Sequence, residues 1–195
     1  MGSVRMGVPT ELVLAIRRQF GADCFLETGT FQGARAVWAA GVFPGVVTIE
    51  ASGQLHAQAI ARFGHLKNVR FVQRSSAALL REIVPTLGRP VIYWLDAHWS
   101  GGVTAGQEYE CPLLDEIRAI DVSGDDAFIL IDDARLFLAP PPLPHKAEQW
   151  PDIASVLATL QEKYPTRYIV VSEDVIIAVP AAAREFMIQH CRQQT

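Results

Sequence analysis

Apolar residues form two alternating patterns along the chain, short continuous runs and runs with helical spacing. Short runs rich in β-branched residues predict strands, and spacings of three and four residues predict helices with one buried face. The runs at 91–96 and 127–132 are almost wholly apolar, which is typical of central strands in a parallel sheet. The predicted strands are 23–27, 46–49, 68–72, 91–96, 127–132, 168–172 and 175–179.

Helical spacing fills most of the intervals between these strands. The first predicted helix has Thr10 as its N-cap and ends at Gly21. The remaining predicted helices are, in chain order, 34–40, one from Leu55 to Phe63, one that opens at Ser75 or Ser76 and ends at Pro85, one from Leu113 to Ile120, one from Trp150 to Leu160, and a short last helix that opens at Pro180.

The alternation of strands and helices predicts an α/β fold, with a doubly wound, Rossmann-like, seven-stranded and mostly parallel sheet. Only Glu173 and Asp174 separate the last two strands, so these strands must form a C-terminal antiparallel hairpin. The expected organisation is a single domain over 1–195, with a short N-terminal helix in 1–22 and a Rossmann-like core in 23–195.

Composition and charge narrow the function classes. The chain has 195 residues, half of them hydrophobic, and its net charge of −4 argues against a dominant nucleic-acid surface. The three cysteines have no metal-knuckle spacing and fit a reducing compartment. Neither a signal peptide nor an apolar run of roughly 20 residues is recognisable, so we expect a cytoplasmic protein without a membrane partner.

The stretch 24–33 predicts a buried strand, a turn with two glycines and the start of a helix. Helix N-termini at such turns present unpaired N–H groups, and α/β proteins bind nucleotides there. The spacing Glu27-x-Gly29-x-x-x-Gly33 differs from the dinucleotide fingerprint. A carboxylate at Glu27 would repel a pyrophosphate and attract an ammonium group, which favours an amino-acid-bearing nucleotide such as S-adenosylmethionine.

Acidic residues stand at the ends of four predicted strands: Glu27, Glu50, Asp96, and the pair Asp132 and Asp133. Ligands of open α/β sheets bind at the carboxyl ends of the strands. Two unit charges about 4 Å apart repel each other by roughly 4 kcal/mol at an effective dielectric constant of 20. The two groups of acids therefore predict two cationic ligands.

Each group of acids has two interpretations. Glu50 is placed to accept hydrogen bonds from ribose hydroxyls, or else it is an N-cap or first-turn acid of the helix that follows. Asp96, Asp132 and Asp133 offer hard oxygen ligands to Mg²⁺, or else Asp132 or Asp133 caps a turn.

Across nearly its whole length the sequence resembles class I S-adenosylmethionine-dependent methyltransferases. Residues 25–33 resemble the first motif of that family, and 47–50 resemble its second strand with the ribose-binding acid. Residues 95–99 and 130–133 resemble the two metal-binding segments of O-methyltransferases of the catechol and macrocin types. The terminal hairpin resembles the antiparallel last strand of the family.

The resemblance implies S-adenosylmethionine as cofactor, Mg²⁺ as metal and a small-molecule hydroxyl as methyl acceptor. In the metal-dependent enzymes Mg²⁺ binds the oxygens of the acceptor and lowers the pKa of the attacking hydroxyl. Carried over by position, Asp96, Asp132 and Asp133 would be the metal ligands. We expect Asp96 and His98 to be the catalytic residues. The cofactor-binding residues would be Glu27, Thr28, Gly29, Thr30, Gly33, Glu50, Ala51, Ser75, Ser76 and Asp96.

Two segments depart from the family pattern. Arg74-Ser75-Ser76 replaces the usual Gly-Asp-Ser, which leaves Ser75 to recognise the adenine. No lysine follows Asp96 as in the catechol enzymes, and His98 is the candidate general base because its ordinary pKa suits proton transfer near neutrality. The alternative is that His98 bonds to the backbone or to Asp96.

The mechanism that we expect places Glu27 and the N–H groups around Gly29 at the methionine end of the cofactor. The long loops 97–110 and 135–149 would form the acceptor pocket. The acceptor-facing side chains would be Trp99, Tyr109, Phe137 and His145, or else these aromatic rings only pack the loops down. About two dozen residues precede the first strand, which suggests an open pocket, a large acceptor or a partner subunit, with a homodimer among the expected partners.

Three other functions compete with this interpretation. A metal-free methyltransferase of the same fold would use the aspartates in structural or proton-transfer roles. A non-catalytic protein that binds S-adenosylmethionine would have no evident reason to keep the acid cluster. An NAD-linked oxidoreductase is disfavoured by the Glu27 motif and by the C-terminal hairpin.

Overall fold

The computed structural model of the protein describes residues 6–88, 90–121 and 127–194. Its strands lie where apolar runs were predicted, and each of the four central ones is buried along its whole length or nearly so. They are β1 (Cys24–Thr28), β2 (Gly45–Glu50), β3 (Val69–Gln73), β4 (Val91–Leu95), β5 (Ala127–Ile131), β6 (Tyr168–Ser172) and β7 (Val175–Val179).

These strands form one sheet in the order β3-β2-β1-β4-β5-β7-β6. The first five strands are parallel, and β7 lies antiparallel to both β5 and β6. The predicted fold class is therefore confirmed, including the C-terminal hairpin. The register places Thr28 beside Ile49 and Leu95, and Leu95 beside Ile131, so the residues that follow these strands meet at one edge.

Helices connect the strands and cover both faces of the sheet. They are α1 (Thr10–Phe20), α2 (Ala34–Ala40), α3 (Gly53–Phe63), α4 (Ser76–Ile83), α5 (Leu113–Ala119), α6 (Arg135–Leu138), α7 (Ile153–Lys163) and α8 (Arg184–Gln194). Within the described ranges, no helix is long and apolar enough to cross a membrane.

Two apolar cores result, one on each face. Side chains alternate along β4, so Tyr93 and Leu95 enter one core and Ile92 and Trp94 enter the other. The first core includes apolar residues of α4, α5 and α7, and the second includes residues of α1, α2 and α8. With both faces covered, the carboxyl ends of the strands remain accessible at the edge.

Several predicted boundaries are wrong by one to three residues. Thr10 is the first residue of α1, and Pro9 precedes it without a side-chain hydrogen bond. β1 begins at Cys24 and extends to Thr28 because pairing with β2 and β4 continues that far. Trp150 lies before α7, which begins where the Asp152 carboxylate accepts the Ser155 N–H.

Two segments contain more helix than predicted. Within the loop 135–149, α6 forms because Leu136 and Phe137 pack against the first core. The last helix is not short, since a 3-10 turn at Ala181–Ala183 leads into the 11 residues of α8. Met187 of α8 is fully buried in the second core, and this tertiary contact extends the helix beyond what the sequence pattern marks.

Candidate active site

A cavity of about 640 Å³ opens at the carboxyl ends of the parallel strands. Residues predicted to bind the cofactor and residues predicted to bind the metal come from different sequence motifs, and both sets line this cavity. Nine of the predicted site residues line it: Gly29, Glu50, Ala51, Ser75, Ser76, Asp96, His98, Asp132 and Asp133. The cofactor half and the acid cluster therefore share one continuous space.

Four other predicted cofactor residues lie behind the cavity wall. Glu27 and Thr28 are fully buried, and the Thr28 hydroxyl accepts the N–H of Asp96 at 3.1 Å. The Thr30 hydroxyl lies 2.5 Å from that of Thr48. Gly33 precedes α2 and packs against the ring of Phe63. In this structure Thr28, Thr30 and Gly33 hold the cavity wall in place.

The backbone of Gly29 lies very close to the backbone of Asp96. Its φ is +82°, and a Cβ added there would lie 2.2 Å from the carbonyl oxygen of Asp96, so no other residue fits. The N–H groups of Gly29 and Thr30 both donate to the Ile49 carbonyl, at 2.9 and 3.2 Å. These two N–H groups are engaged by the sheet, and the expectation that the N–H groups around Gly29 hold the methionine end of the cofactor stays a prediction.

Glu50 lines the cavity from the end of β2 with only 6% of its surface exposed. One carboxylate oxygen accepts the Phe31 N–H at 2.9 Å, and the other accepts the Ser52 N–H at 2.8 Å. The N-cap of α3 is Ser52, so Glu50 is not the cap. The two backbone donors fix the carboxylate and leave one lone pair on each oxygen for a ligand.

Glu27 and Asp96 are bridged by Arg35, which the sequence analysis missed. The guanidinium hydrogen-bonds to the Asp96 carboxylate and contacts the Gly29 carbonyl, and its Nε lies 3.6 Å from Glu27. Glu27 accepts a hydrogen bond from Thr48 at 2.6 Å, and burial raises its pKa to about 7. The repulsion among the strand-end acids was the signal for a compensating cation, and α2 supplies it.

His98 lies between two carboxylates. Its Nε2 is 2.7 Å from Asp133 and 3.2 Å from Asp96. Burial lowers the pKa of His98, but the hydrogen bonds and charges of these two aspartates outweigh it and raise the pKa to about 10. The imidazole is therefore protonated at neutral pH, an arrangement that does not favour its predicted role as general base.

Asp174 is a second residue that the sequence analysis missed. It lies in the turn between β6 and β7, is 2% exposed, and accepts the backbone N–H of Arg135 at 2.9 Å as well as its guanidinium. Arg135 in turn donates to Asp133 at 2.7 Å. Because β7 lies beside β5, the hairpin turn reaches the acid cluster, a contact that local sequence cannot reveal.

The acids of the cluster are thus compensated by side chains of the protein itself. Arg35, His98 and Arg135 each pair with two carboxylates. Burial raises the pKa of Asp132 to about 7, so this carboxyl is only partly charged near neutrality. The repulsion alone therefore does not require two bound cations, and the inference from charge to ligands was too strong.

Candidate metal ligands converge in two groups within the described residues. The donor atoms of Asp96, His98 and Asp133 lie within 4.8 Å of one another, and so do those of Asp132, Asp133 and Asp174. The predicted Mg²⁺ ligands, Asp96, Asp132 and Asp133, coincide with neither group. In the second group Arg135 already contacts two of the three carboxylates.

The loops over the cavity are held together by Glu110, which is 1% exposed. Its carboxylate accepts hydrogen bonds from Trp150 Nε1 at 2.8 Å and from the Lys146 N–H, and lies 3.1 Å from His145 Nδ1. Of the four predicted acceptor-facing residues, Tyr109 lines the large cavity. The other three, Trp99, Phe137 and His145, pack around Trp150 and Glu110.

The sequence matches no protein-family model, and it matches none of the curated proteins. Solved structures are similar over most of the chain. A Staphylococcus aureus protein named as a caffeoyl-CoA O-methyltransferase is 13% identical with a TM-score of 0.62, and the match covers 91% of this chain and 86% of the other. A Streptococcus mutans protein named as a methyltransferase, in complex with SAH (S-adenosylhomocysteine), is 12% identical with a TM-score of 0.54 over 90% and 99% of the two chains.

An N-methyltransferase from Bradyrhizobium japonicum is 13% identical with a TM-score of 0.52, and the match covers 88% of this chain and 93% of the other. Similar structures therefore include proteins named for transfer to oxygen and to nitrogen. At identities this low the likeness establishes the fold alone. The chain has the fold of class I S-adenosylmethionine-dependent methyltransferases.

Proposed function

We propose that the protein transfers the methyl group of S-adenosylmethionine to a hydroxyl oxygen of a small-molecule acceptor. The observation that carries this proposal is that Glu50 and the Asp96–His98–Asp133 cluster face the same cavity. A ribose-binding carboxylate at the end of the second strand and a polar cluster at the ends of the fourth and fifth strands suit a nucleotide cofactor beside an oxygen nucleophile.

Glu50 would bind the ribose. Its carboxylate is fixed by the N–H groups of Phe31 and Ser52, and its remaining lone pairs can accept bonds from the two ribose hydroxyls. Ala51, Ser75 and Ser76 line the adjacent part of the cavity and would contact the adenine. Ser75 precedes α4 with its side chain unbonded to the helix, which leaves its hydroxyl for a ligand.

Arg35 and Asp96 would bind the methionine end. The amino-acid part of the cofactor carries one carboxylate and one ammonium group, and these two side chains line the cavity as an ion pair. The guanidinium would donate to the carboxylate while Asp96 accepts from the ammonium group. Glu27 lies behind Arg35 and stabilises its charge.

The sulfonium of the cofactor supplies an activated methyl group, so the protein mainly orients the acceptor and receives its proton. Asp132 and Asp133 line the cavity next to Asp96 and can hydrogen-bond an acceptor hydroxyl. The released proton can pass to Asp132, because burial raises the pKa of this carboxyl to about 7. The roles of Asp96 and His98 in the reaction, the identity of the acceptor and the cytoplasmic location stay predictions.

The test is calorimetric titration of S-adenosylhomocysteine into the purified chain and two variants. Wild type should bind, and Glu50→Ala should bind about 10 to 100-fold more weakly because two charge-assisted hydrogen bonds are lost. Glu162→Ala, on the exposed face of α7, is the control and should bind like wild type. Absence of binding to folded wild type at millimolar concentration would overturn the proposal.

Transfer itself would be followed with S-adenosylmethionine that carries a radiolabelled methyl group. Panels of hydroxyl and amine acceptors are compared at equal concentration. Label in hydroxyl compounds supports the proposal. Label found only in amines would still support S-adenosylmethionine as the cofactor, but it would contradict a hydroxyl as the acceptor.

A further inference from the structure

His98 is the point at which two carboxylates from different strands converge. Its Nε2 lies 3.2 Å from Asp96 Oδ1 and 2.7 Å from Asp133 Oδ2. The three donor atoms lie within 4.8 Å of one another. We propose that Asp96, His98 and Asp133 bind a divalent transition-metal cation such as Co²⁺, Zn²⁺ or Fe²⁺, in place of the all-carboxylate Mg²⁺ site expected from the resemblance.

Arg35 and Arg135 each bond to only one oxygen of their aspartate, so the second oxygen is available to the cation. Arg35 pairs with Asp96 Oδ2, and the other oxygen of Asp96 faces His98. Arg135 pairs with Asp133 Oδ1 at 2.7 Å, and the other oxygen of Asp133 faces His98. Each carboxylate is thus oriented by a guanidinium on one oxygen and presents its second oxygen to the same point, as partners of metal ligands do.

Asp132 is excluded from the site by its own contacts. One of its oxygens accepts the N–H of Asp133 at 2.8 Å. Its donor atoms converge with those of Asp133 and Asp174, where Arg135 already bonds to both partners. The guanidinium takes the position that a cation would need there.

The ligand types decide the class of metal. Mg²⁺ and Ca²⁺ select oxygen ligands, whereas an imidazole nitrogen suits Fe, Ni, Cu and Zn. Two carboxylates and one imidazole therefore favour a first-row transition metal over Mg²⁺. His98 binds the cation as the neutral imidazole, so the cation replaces the proton that the histidine shares with the two aspartates.

Glu116 supplies an independent indication of a missing ligand. This α5 residue is 1% exposed, and its Oε1 has no hydrogen-bond partner within the described part of the chain. It lines a small cavity of about 10 Å³ together with Asp96 and His98. Such a space holds one water, and a buried carboxylate oxygen without a donor is costly. Glu116 would therefore hold a water beside Asp96 and His98.

The test is Co²⁺ titration of the full chain without S-adenosylmethionine or its analogues, followed by visible absorption and calorimetry. Wild type should bind Co²⁺, and equimolar Mg²⁺ should not displace it. His98→Gln should lower the Co²⁺ affinity by at least about tenfold. Asp132→Asn should stay within about threefold of wild type, and so should His65→Gln, an exposed histidine that serves as the matched control.

Nuclear magnetic resonance of the Co²⁺-loaded wild type gives a second measurement, which needs no variant to fold. The ring signals of one histidine should shift far outside the usual range. Absence of Co²⁺ binding, no shifted ring, full Co²⁺ affinity in a folded His98→Gln variant, or a loss in Asp132→Asn as large as that in His98→Gln would each overturn the proposal. Because the cation is measured alone, these outcomes do not depend on the proposed methyl transfer.

Discussion

Glu116 shows how the environment of a single residue sets a pH dependence. Its carboxyl is buried beneath the site and accepts hydrogen bonds from Ser76 and Thr28. Burial raises its pKa from 4.5 to about 7, and these two hydrogen bonds only partly offset the effect. The folded chain therefore holds this proton more tightly than the unfolded chain, and the ionised form is penalised by folding.

Glu116→Gln should accordingly be more stable than wild type above pH 7. The two chains should have similar free energies of unfolding well below pH 4.5, where the carboxyl is protonated in both states. The difference should grow as pH rises from 4.5 to 7 and reach roughly 3 kcal/mol. Urea denaturation at pH 5 and pH 8 measures it.

The control for this prediction is Glu162→Gln, because Glu162 is exposed on α7. Its difference from wild type should be the same at both pH values. If Glu116→Gln loses more stability at pH 8 than at pH 5, the burial of an uncompensated carboxyl is not what governs this residue.

At the scale of elements, Glu110 joins the two loops that border the cavity. Burial raises the pKa of Glu110, but the hydrogen bonds from Trp150, Lys146 and His145 outweigh it and leave the pKa lower than 4.5. The pKa shift of Glu110 is thus opposite in sign to that of Glu116. The ionised carboxylate stabilises the folded chain above pH 4.5, and this stability is lost as pH falls through the lowered pKa.

Glu110→Gln should therefore lower the free energy of unfolding at pH 7, by about 1–3 kcal/mol, because charge-assisted hydrogen bonds are replaced by neutral ones. The deficit should shrink below pH 4. Denaturant titrations at the two pH values test this, with Glu108→Gln, an exposed residue of the same loop, as the matched variant. An equal deficit at both pH values would show that lost packing, and not the charge, explains the effect.

The strand ends were predictable because each acid directly follows an apolar run. Asp96 and Asp132 could be placed side by side once the strands were assigned, since parallel strands end at one edge. The arginine side chains that pair with these acids could not be placed in this way. Arg35 and Asp96 are 61 residues apart, and Arg135 and Asp174 are 39 apart. Such pairs depend on how α2 and the hairpin dock on the sheet, which local pattern does not determine.

Helices and loops were also predictable only where local sequence determines them. α2 was predicted with its observed bounds because glycines stand on both sides of it. α6 was missed because it is four residues long and is stabilised by the core rather than by its own sequence. The ring of Trp99 contacts His145, and the rings of Phe137 and His145 contact Trp150; these contacts arise only in the folded chain.

At the scale of the whole molecule, the cavity is built from the ends of five parallel strands of one sheet. Both apolar cores pack against that same sheet. A ligand that contacts Glu50, Arg35 and Asp96 therefore touches residues held by β2, α2 and β4 together. Its binding free energy should stabilise the whole sheet and not a separate part of the chain.

S-adenosylhomocysteine should accordingly raise the temperature of a single unfolding transition. A ligand at 100 times its dissociation constant stabilises the folded state by about 2.7 kcal/mol, which for a chain of this length corresponds to a rise of roughly 5–10 °C. Scanning calorimetry with and without the ligand measures the shift, and Glu50→Ala at the same ligand concentration should show little of it. Two separated transitions, with only one shifted, would contradict the single-domain prediction, whereas one transition that does not move would contradict binding at the strand ends.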